Sequence, residues 1–232
     1  MEAVKEIVKD EAAFLQSLVS VDGATLLELG CGKAEFTRKL LAKSKAASIV
    51  ALEVDRIQHR LNLEGAQDPR LTFGFGGAEA IPYDEASFDG VMMMKSLHHV
   101  PMGSLDAAFA ELRRVLKPGG WAYISEPVFA GPLNEIIRLF HDEEVVRAAA
   151  QAAIRRAVGA GVLREEREYE FDMPTRYANF DDFVAKHIEV THSEKHYTPE
   201  IAAEVRRRFE AHMTPDGASF MKPMRVSFLR RP

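Results

Sequence analysis

Glu28, Gly30, Gly32 and Glu53 are spaced as if to hold one small polar ligand, and His98, His99 and Glu126 are residue types that bind or move protons. The apolar run around Glu28 breaks into Gly30, Cys31 and Gly32 and then reads as a helix. Glycines at such a junction permit a tight turn and a close ligand approach that a side chain would block. The first amides of the following helix face the same space. Glu53 ends a second short apolar run about 20 residues further on, where a carboxylate can accept the hydroxyl protons of a ribose. Asp55 is the fallback for that contact, and the alternative for Glu53 is a solvated strand end.

The turn argues against a dinucleotide, whose fingerprint asks for a third glycine where this chain has Glu35. A carboxylate there would meet a pyrophosphate with the wrong sign. A ligand carrying an amino acid and a sulfonium has no phosphate to repel. Glu28 is placed to receive the ammonium end of such a ligand, directly or through water; otherwise it accepts from its own loop amides.

The elements that position these residues alternate strand and helix. Strands are expected over 24–29, 48–53, 71–75, 88–94 and 120–126, and helices over 33–43, 56–65 and 104–116. Asp55 and Ser104 read as helix caps, and Pro118, Gly119 and Gly120 as the turn after the last helix. Residues 1–20 read as an amphipathic helix and 132–158 as one or two helices capping a pocket. REEREYEF reads as an edge strand, NFDDFVAKHI and TPEIAAEVRRRFEAH as helices, and MRVSFLRR as a final strand.

In this order the motifs resemble the class I S-adenosylmethionine-dependent methyltransferases across residues 24–127. LLELGCGKA is similar to their first motif, ALEVD to the ribose-binding strand, and GGAEAIPYDEASFDGVMM to the adenine turn and fourth strand. KSLHHVP is similar to the segment after that strand, and ELRRVLKPGGWAYISEP to the next helix, turn and strand. The resemblance implies an α/β fold: a Rossmann-like, doubly wound, seven-stranded sheet, mostly parallel with an antiparallel last strand, plus helical insertions capping the acceptor site. It implies one domain over 1–232, with an N-terminal helix at 1–20, a cofactor core at 21–128, insertions at 129–215 and the last strand at 216–232. S-adenosyl-L-methionine is the implied cofactor, contacted by Glu28, Gly30, Cys31, Gly32, Glu53, Val54, Gly77, Ala78, Glu79, Lys95 and His99. Two departures stand out. Gly77 replaces the Asp that usually holds the adenine amino group, so Glu79 or a backbone carbonyl is expected to substitute, and Ala34 replaces the third glycine of the first motif.

The implied reaction is methyl transfer to a small-molecule O, N or activated carbon nucleophile, aligned in line with the methyl carbon at about 3–3.5 Å. His98 is the expected acceptor-side residue, with a pKa near neutrality suited to a general base, and Glu126 is the other candidate. The alternative for His98 and His99 is hydrogen bonding to neighbouring loops. Three roles are open for Lys95: pointing outward, binding an acidic acceptor, or contacting the loop backbone. His141, His192 and His196 lack metal-ligand spacing and read as ordinary surface or helix residues, so no metal is expected. Met92, Met93 and Met94 read as buried strand. Phe129, Phe140, Tyr169 and Tyr177 are expected either in the core or along an acceptor wall.

The 232 residues are 47% hydrophobic with a net charge of -5, enough for a large core and without the positive field of a nonspecific nucleic-acid binder. The lone Cys31 permits no intramolecular disulfide and no cysteine metal cluster. No transmembrane span or leader pattern is read, so a cytoplasmic location is expected. The expected partner is a small-molecule methyl acceptor; oligomeric state stays open, a homodimer included. Two rival functions also stay open: a quinone-pathway carbon methyltransferase, and a non-catalytic S-adenosylmethionine-binding regulatory module.

Overall fold

Strands buried on both faces form a continuous sheet, and their sequences show it: SIVALE and FDGVMMM carry almost no polar alternation. The computed structural model describes residues 6–65, 68–189 and 197–232. Among them the chain runs β1 (Glu6–Ile7), α1 (Glu11–Leu18), β2 (Thr25–Leu29), α2 (Glu35–Lys43), β3 (Ser48–Glu53), α3 (Arg56–Glu64) and β4 (Leu71–Phe75). It continues with β5 (Phe88–Met94), α4 (Leu105–Val115), β6 (Leu116–Pro127), α5 (Pro132–Ile137) and α6 (Glu144–Gly159). The remainder is β7 (Arg164–Tyr177), α7 (Phe180–His187), α8 (Pro199–Glu210), β8 (Met213–Thr214) and β9 (Gly217–Arg230). His99 ends a short 3₁₀ turn, Leu97–His99, that follows β5.

The sheet order is β1-β7-β9-β6-β5-β2-β3-β4, with β8 paired to β9. β2, β3, β4, β5 and β6 are mutually parallel, and β9 inserts antiparallel between β6 and β7. The α/β class with an antiparallel last strand therefore holds. Nine strands replace the expected seven because the two-residue β1 and β8 extend the edge. β1 occupies part of the stretch expected to be an N-terminal helix, which forms only from Glu11, capped by the Asp10 carboxylate on the amides of Ala12 and Ala13. β7 begins on the expected edge strand REEREYEF and runs on to Tyr177, with only the two-residue β1 outside it. Asp55 caps α3 as expected, whereas Ser104 precedes α4 without a side-chain cap bond.

Strand order reverses between β2 and β5, and the crevice outside the carboxyl ends of such strands is where open α/β sheets bind ligands. One face of the sheet packs Leu27, Leu29, Val91 and Met93 against α4 and α6, and the other packs Leu26, Met92 and Tyr123 with Leu15 and Leu40 of α1 and α2. Each such side chain contributes about 1.5–3 kcal/mol when fully buried. A third cluster, with Phe140, Tyr177, Phe183 and Phe209 among its members, joins α5, α7 and α8 to β7 and β9. It builds the cap over the crevice from aromatic residues. Phe140 is thus core, and Tyr169 packs edge-on to Phe14. Among the described residues, no helix is long and apolar enough to cross a membrane.

Candidate functional site

The turn after β2 is held in a conformation that most side chains resist. Gly30 has φ +68°, and a Cβ added there would lie 2.7 Å from the Ser96 Cβ, so the segment after β5 packs directly on the turn. Gly32 has φ +52° with open space where a side chain would project. The amides of Gly30 and Cys31 both donate to the Leu52 carbonyl at 3.0 Å, tying the turn to β3. Ala34, which stands for the third glycine, is fully buried at φ 55° and precedes α2 with no side-chain cap, leaving first-turn amides of that helix without a side-chain acceptor.

Glu53 is buried at the end of β3. Its Oε2 accepts from the Gly32 amide at 2.7 Å, and its Oε1 from the Val54 and Asp55 amides at 2.8 Å each. One lone-pair direction on Oε2 therefore stays available to a ligand hydroxyl; gripping two hydroxyls requires exchanging a backbone bond. Val54 itself is exposed. The loop amides that Glu28 was expected to take as an alternative belong to Glu53. Glu28 instead accepts from the Thr37 hydroxyl of α2, and burial pushes its carboxyl up to about 7, with Thr37 and Lys95 partly opposing the shift.

Cys31 is buried; burial, with Glu28 and Glu53 nearby, holds its thiol far above the ordinary range, so it is a packing residue. The Asn62 amide donates to the Gly32 carbonyl at 2.7 Å and braces the turn from α3. At the turn after β4, a Cβ on Gly77 would lie 2.4 Å from Glu79 Oε2. The Glu79 carboxylate thus fills the space that a side chain at 77 would use, with buried Ala78 between them.

On the other side of the same crevice, buried His98 places Nδ1 against the Glu126 carboxylate and Nε2 3.4 Å from Glu143 Oε1. Glu126 also accepts the Leu97 amide at 2.9 Å, which fixes the turn to β6. Burial opposes protonation of His98, but the two carboxylates outweigh it and push the imidazole up to about 9. The expectation of a near-neutral pKa is therefore corrected. With a carboxylate at each nitrogen, His98 is an imidazolium at pH 7 and donates rather than accepts.

His141 is not an ordinary surface residue: its Nε2 lies 2.9 Å from Glu143 Oε1, and Arg147 binds Glu143 Oε2 at 2.5 Å. Hydrogen bonds from His141 and His98, with the charges of His98 and Arg147, hold the Glu143 carboxyl far below its usual range despite its burial. Ligand atoms of His98, His99 and Glu143 lie within 4.8 Å of one another, yet Glu143 is already shared among two histidines and an arginine. The cluster is built as an ion-pair network, unfavourable to an added cation.

Lys95 adopts φ 60° after β5, donates its amide to the Ser125 carbonyl at 2.7 Å, and extends Nζ to 3.9 Å from buried Glu11. Its side chain lines a cavity of about 410 Å³ with His98, His99, His141, Glu143 and Tyr177, and its charge also reaches Glu28 beneath the turn at Gly30. Tyr177, whose hydroxyl lies 2.6 Å from His187 Nε2, is the member of the expected aromatic wall that lines it. Phe129 lies instead beneath the Arg138 guanidinium. His192 and His196 fall outside the described residues. Sequence reading missed Thr37, Glu143, Arg147 and Lys222. The Glu143/Arg147 spacing of four, at the start of α6, was the one local signal for the pair.

Residues 26–120 match a family model described as a methyltransferase domain. The chain is 32% identical over 118 residues to the methyltransferase GfsG of Streptomyces halstedii, covering 49% of this chain and 41% of that one. It is 29% identical over 146 residues to the phthiotriol/phenolphthiotriol dimycocerosates methyltransferase 1 of Mycobacterium ulcerans, covering 63% and 51%. It thus spans about half the length of these curated relatives. A crystal structure from Bacillus halodurans superimposes with TM-score 0.66 at 17% identity, covering 96% of this chain and 99% of that one, which shows a shared fold.

Proposed function

Because residues 26–120 match a methyltransferase-domain model, we propose that this chain is a class I S-adenosylmethionine-dependent methyltransferase that transfers a methyl group to a small molecule held in the 410 Å³ cavity beneath α5, α6 and α7. One observation carries the reading. The segment Lys95–His99 packs on Gly30 through Ser96 and lines the cavity through Lys95, His98 and His99, so a single turn borders both the donor site and the acceptor site.

The residues present fit the donor. Open space at Gly32, the uncapped start of α2 and the remaining Oε2 position of Glu53 suit a ribose and an amino-acid tail. Glu28, once ionised, attracts the ammonium. Glu79 takes the place of the missing Asp at 77 as acceptor for the adenine amino group. When bound, S-adenosylmethionine supplies an electrophilic methyl group, so the chain's own task is alignment and exclusion of water. His98, charged and held by Glu126, donates from Nε2 to the acceptor molecule; the 3.4 Å separation from Glu143 is long for a charge-assisted bond, which frees that proton for a ligand atom.

Calorimetric titration with S-adenosylhomocysteine tests the donor site. Glu53→Ala is expected to stay folded and to lose at least about tenfold in affinity, one hydrogen bond to a charged group being worth about 1.5–3 kcal/mol. Unchanged affinity would remove the ribose assignment. A mass-spectrometric screen for metabolites that gain one methyl group tests the transfer itself, and no turnover across a broad panel with donor binding intact would favour the regulatory module.

A further inference from the structure

Where β6, α5, α6 and β9 meet, the side chains of Asn134, Arg147 and Lys222 line one small recess. Arg147 donates one terminal nitrogen to Asn134 Oδ1 at 3.2 Å and the other to Glu143 at 2.5 Å, yet its buried Nε has no partner. The Asn134 amide nitrogen is likewise buried and unpartnered. The side chain of Lys222, on β9 opposite Met173, makes no hydrogen bond or ion pair among the described residues. All three line a recess of about 30 Å³, room for roughly one water-sized atom. The recess shares Arg147, Lys222, Pro127 and Leu133 with the large cavity.

The electrostatics run the same way. Lys95, Arg147, Lys186 and Lys222 line the large cavity with one carboxylate, Glu143; Arg147 pairs with Glu143, Lys186 with Asp182 and Lys95 lies 3.9 Å from Glu11, which leaves Lys222 as the cation of this lining with no ion pair among the described residues. Burial and the neighbouring Lys95 push the Lys222 ammonium down to about 8, with Glu11 partly offsetting and Arg147 adding to the shift. Lone donors and a desolvated, repelled cation are unfavourable by themselves, and a bound oxyanion satisfies all of them. A recess of one-atom size fits a terminal oxygen, and the 410 Å³ cavity leaves room for the body of a metabolite beside His98.

We propose that the methyl acceptor is an anion, a carboxylate or phosphate ester whose oxyanion seats against Lys222, Arg147 Nε and Asn134 Nδ2 while its nucleophile faces His98. The proposal rests on the methyl-transfer reading for the word acceptor, but the oxyanion seat stands on its own donors.

The test is calorimetric titration of the full chain, with and without S-adenosylhomocysteine, using inorganic phosphate, benzoate and its neutral counterpart benzyl alcohol. Saturable binding of phosphate or benzoate is expected, with benzyl alcohol at least about tenfold weaker. The tighter of the two anions identifies the acceptor's charged group. Lys222→Met should weaken the anion by about tenfold and leave S-adenosylhomocysteine affinity unchanged, while Lys222→Arg retains the anion. If Lys222→Met does not fold, Asn134→Leu serves the same comparison. Equal binding of benzoate and benzyl alcohol, anion affinity unaffected by these substitutions, or no anion binding would each overturn the proposal. Failure of S-adenosylhomocysteine to bind, with the anion still bound, would instead count against the methyl-transfer reading alone.

Discussion

Replacing Glu28 by Gln should make the free protein more stable at alkaline pH and a poorer binder of the donor. The Glu28 carboxyl is buried under the turn at Gly30 and held at about 7 instead of the ordinary 4.5, chiefly by desolvation. A raised folded pKa means that the folded state binds the proton more tightly than the unfolded chain does. The stability this carries is fully present below 4.5 and is lost as pH rises to about 7. Integrating over that window, the loss is about 1 kcal/mol by pH 5 and about 3 kcal/mol by pH 8. Gln is nearly isosteric and can donate to the Thr37 hydroxyl, so it keeps the link between β2 and α2 while removing the titration. Urea denaturation of both proteins at pH 5 and pH 8 should show the variant gaining about 2 kcal/mol relative to wild type between the two conditions. S-adenosylhomocysteine affinity should rise in wild type from pH 6 to pH 8, as Glu28 ionises, and stay flat and weaker in the variant. A stability difference independent of pH would refute the buried, near-neutral carboxyl, and a pH-flat wild-type affinity would refute its contact with the ammonium.

His98 titrates with the opposite chemistry but the same sign: its folded pKa of about 9 exceeds the ordinary 6.5, so its stabilisation is complete below pH 6.5 and lost as pH rises through 9. Wild type should lose about 3 kcal/mol across that window and His98→Gln much less, and turnover should fall above pH 9 if the imidazolium is the working form. A rate that climbs through pH 9 would identify His98 as a base instead. At the adenine end, Glu79→Ala should weaken S-adenosylhomocysteine by about tenfold, and Gly77→Asp added to it should restore binding, since the vacated space accepts a side chain at 77. No loss in Glu79→Ala would return adenine recognition to the backbone.

The half of the site proposed for the donor was legible because its geometry is local. A strand ending in Gly30 and Gly32, and Glu53 at the end of the next parallel strand, meet through adjacent strand pairing, so short motifs carry the arrangement. Roles within it were less legible. Which carboxylate takes the loop amides depended on side-chain direction across β2 and β3, and the structure assigned them to Glu53 and left Glu28 facing Thr37. The near-neutral pKa expected for His98 failed for a related reason. Glu143 lies 45 positions away in sequence at the head of α6, and nothing in the segment KSLHH announces a second carboxylate.

By itself the sequence determined the α/β alternation, the positions of the parallel core strands and the glycine turn after the first of them, since each follows from apolar periodicity and glycine placement within a few dozen residues. The cavity proposed for the acceptor was decided only by tertiary structure. Its walls come from the turn after β5 and from β6, α5, α6, β7, α7 and β9, and its cations Lys95, Arg147, Lys186 and Lys222 stand on four separate segments, Lys222 entering through the insertion of β9 between β6 and β7. Such long-range pairing leaves no local pattern to read, because a lysine on an edge-like strand has the same sequence neighbours whether it faces solvent or a buried recess.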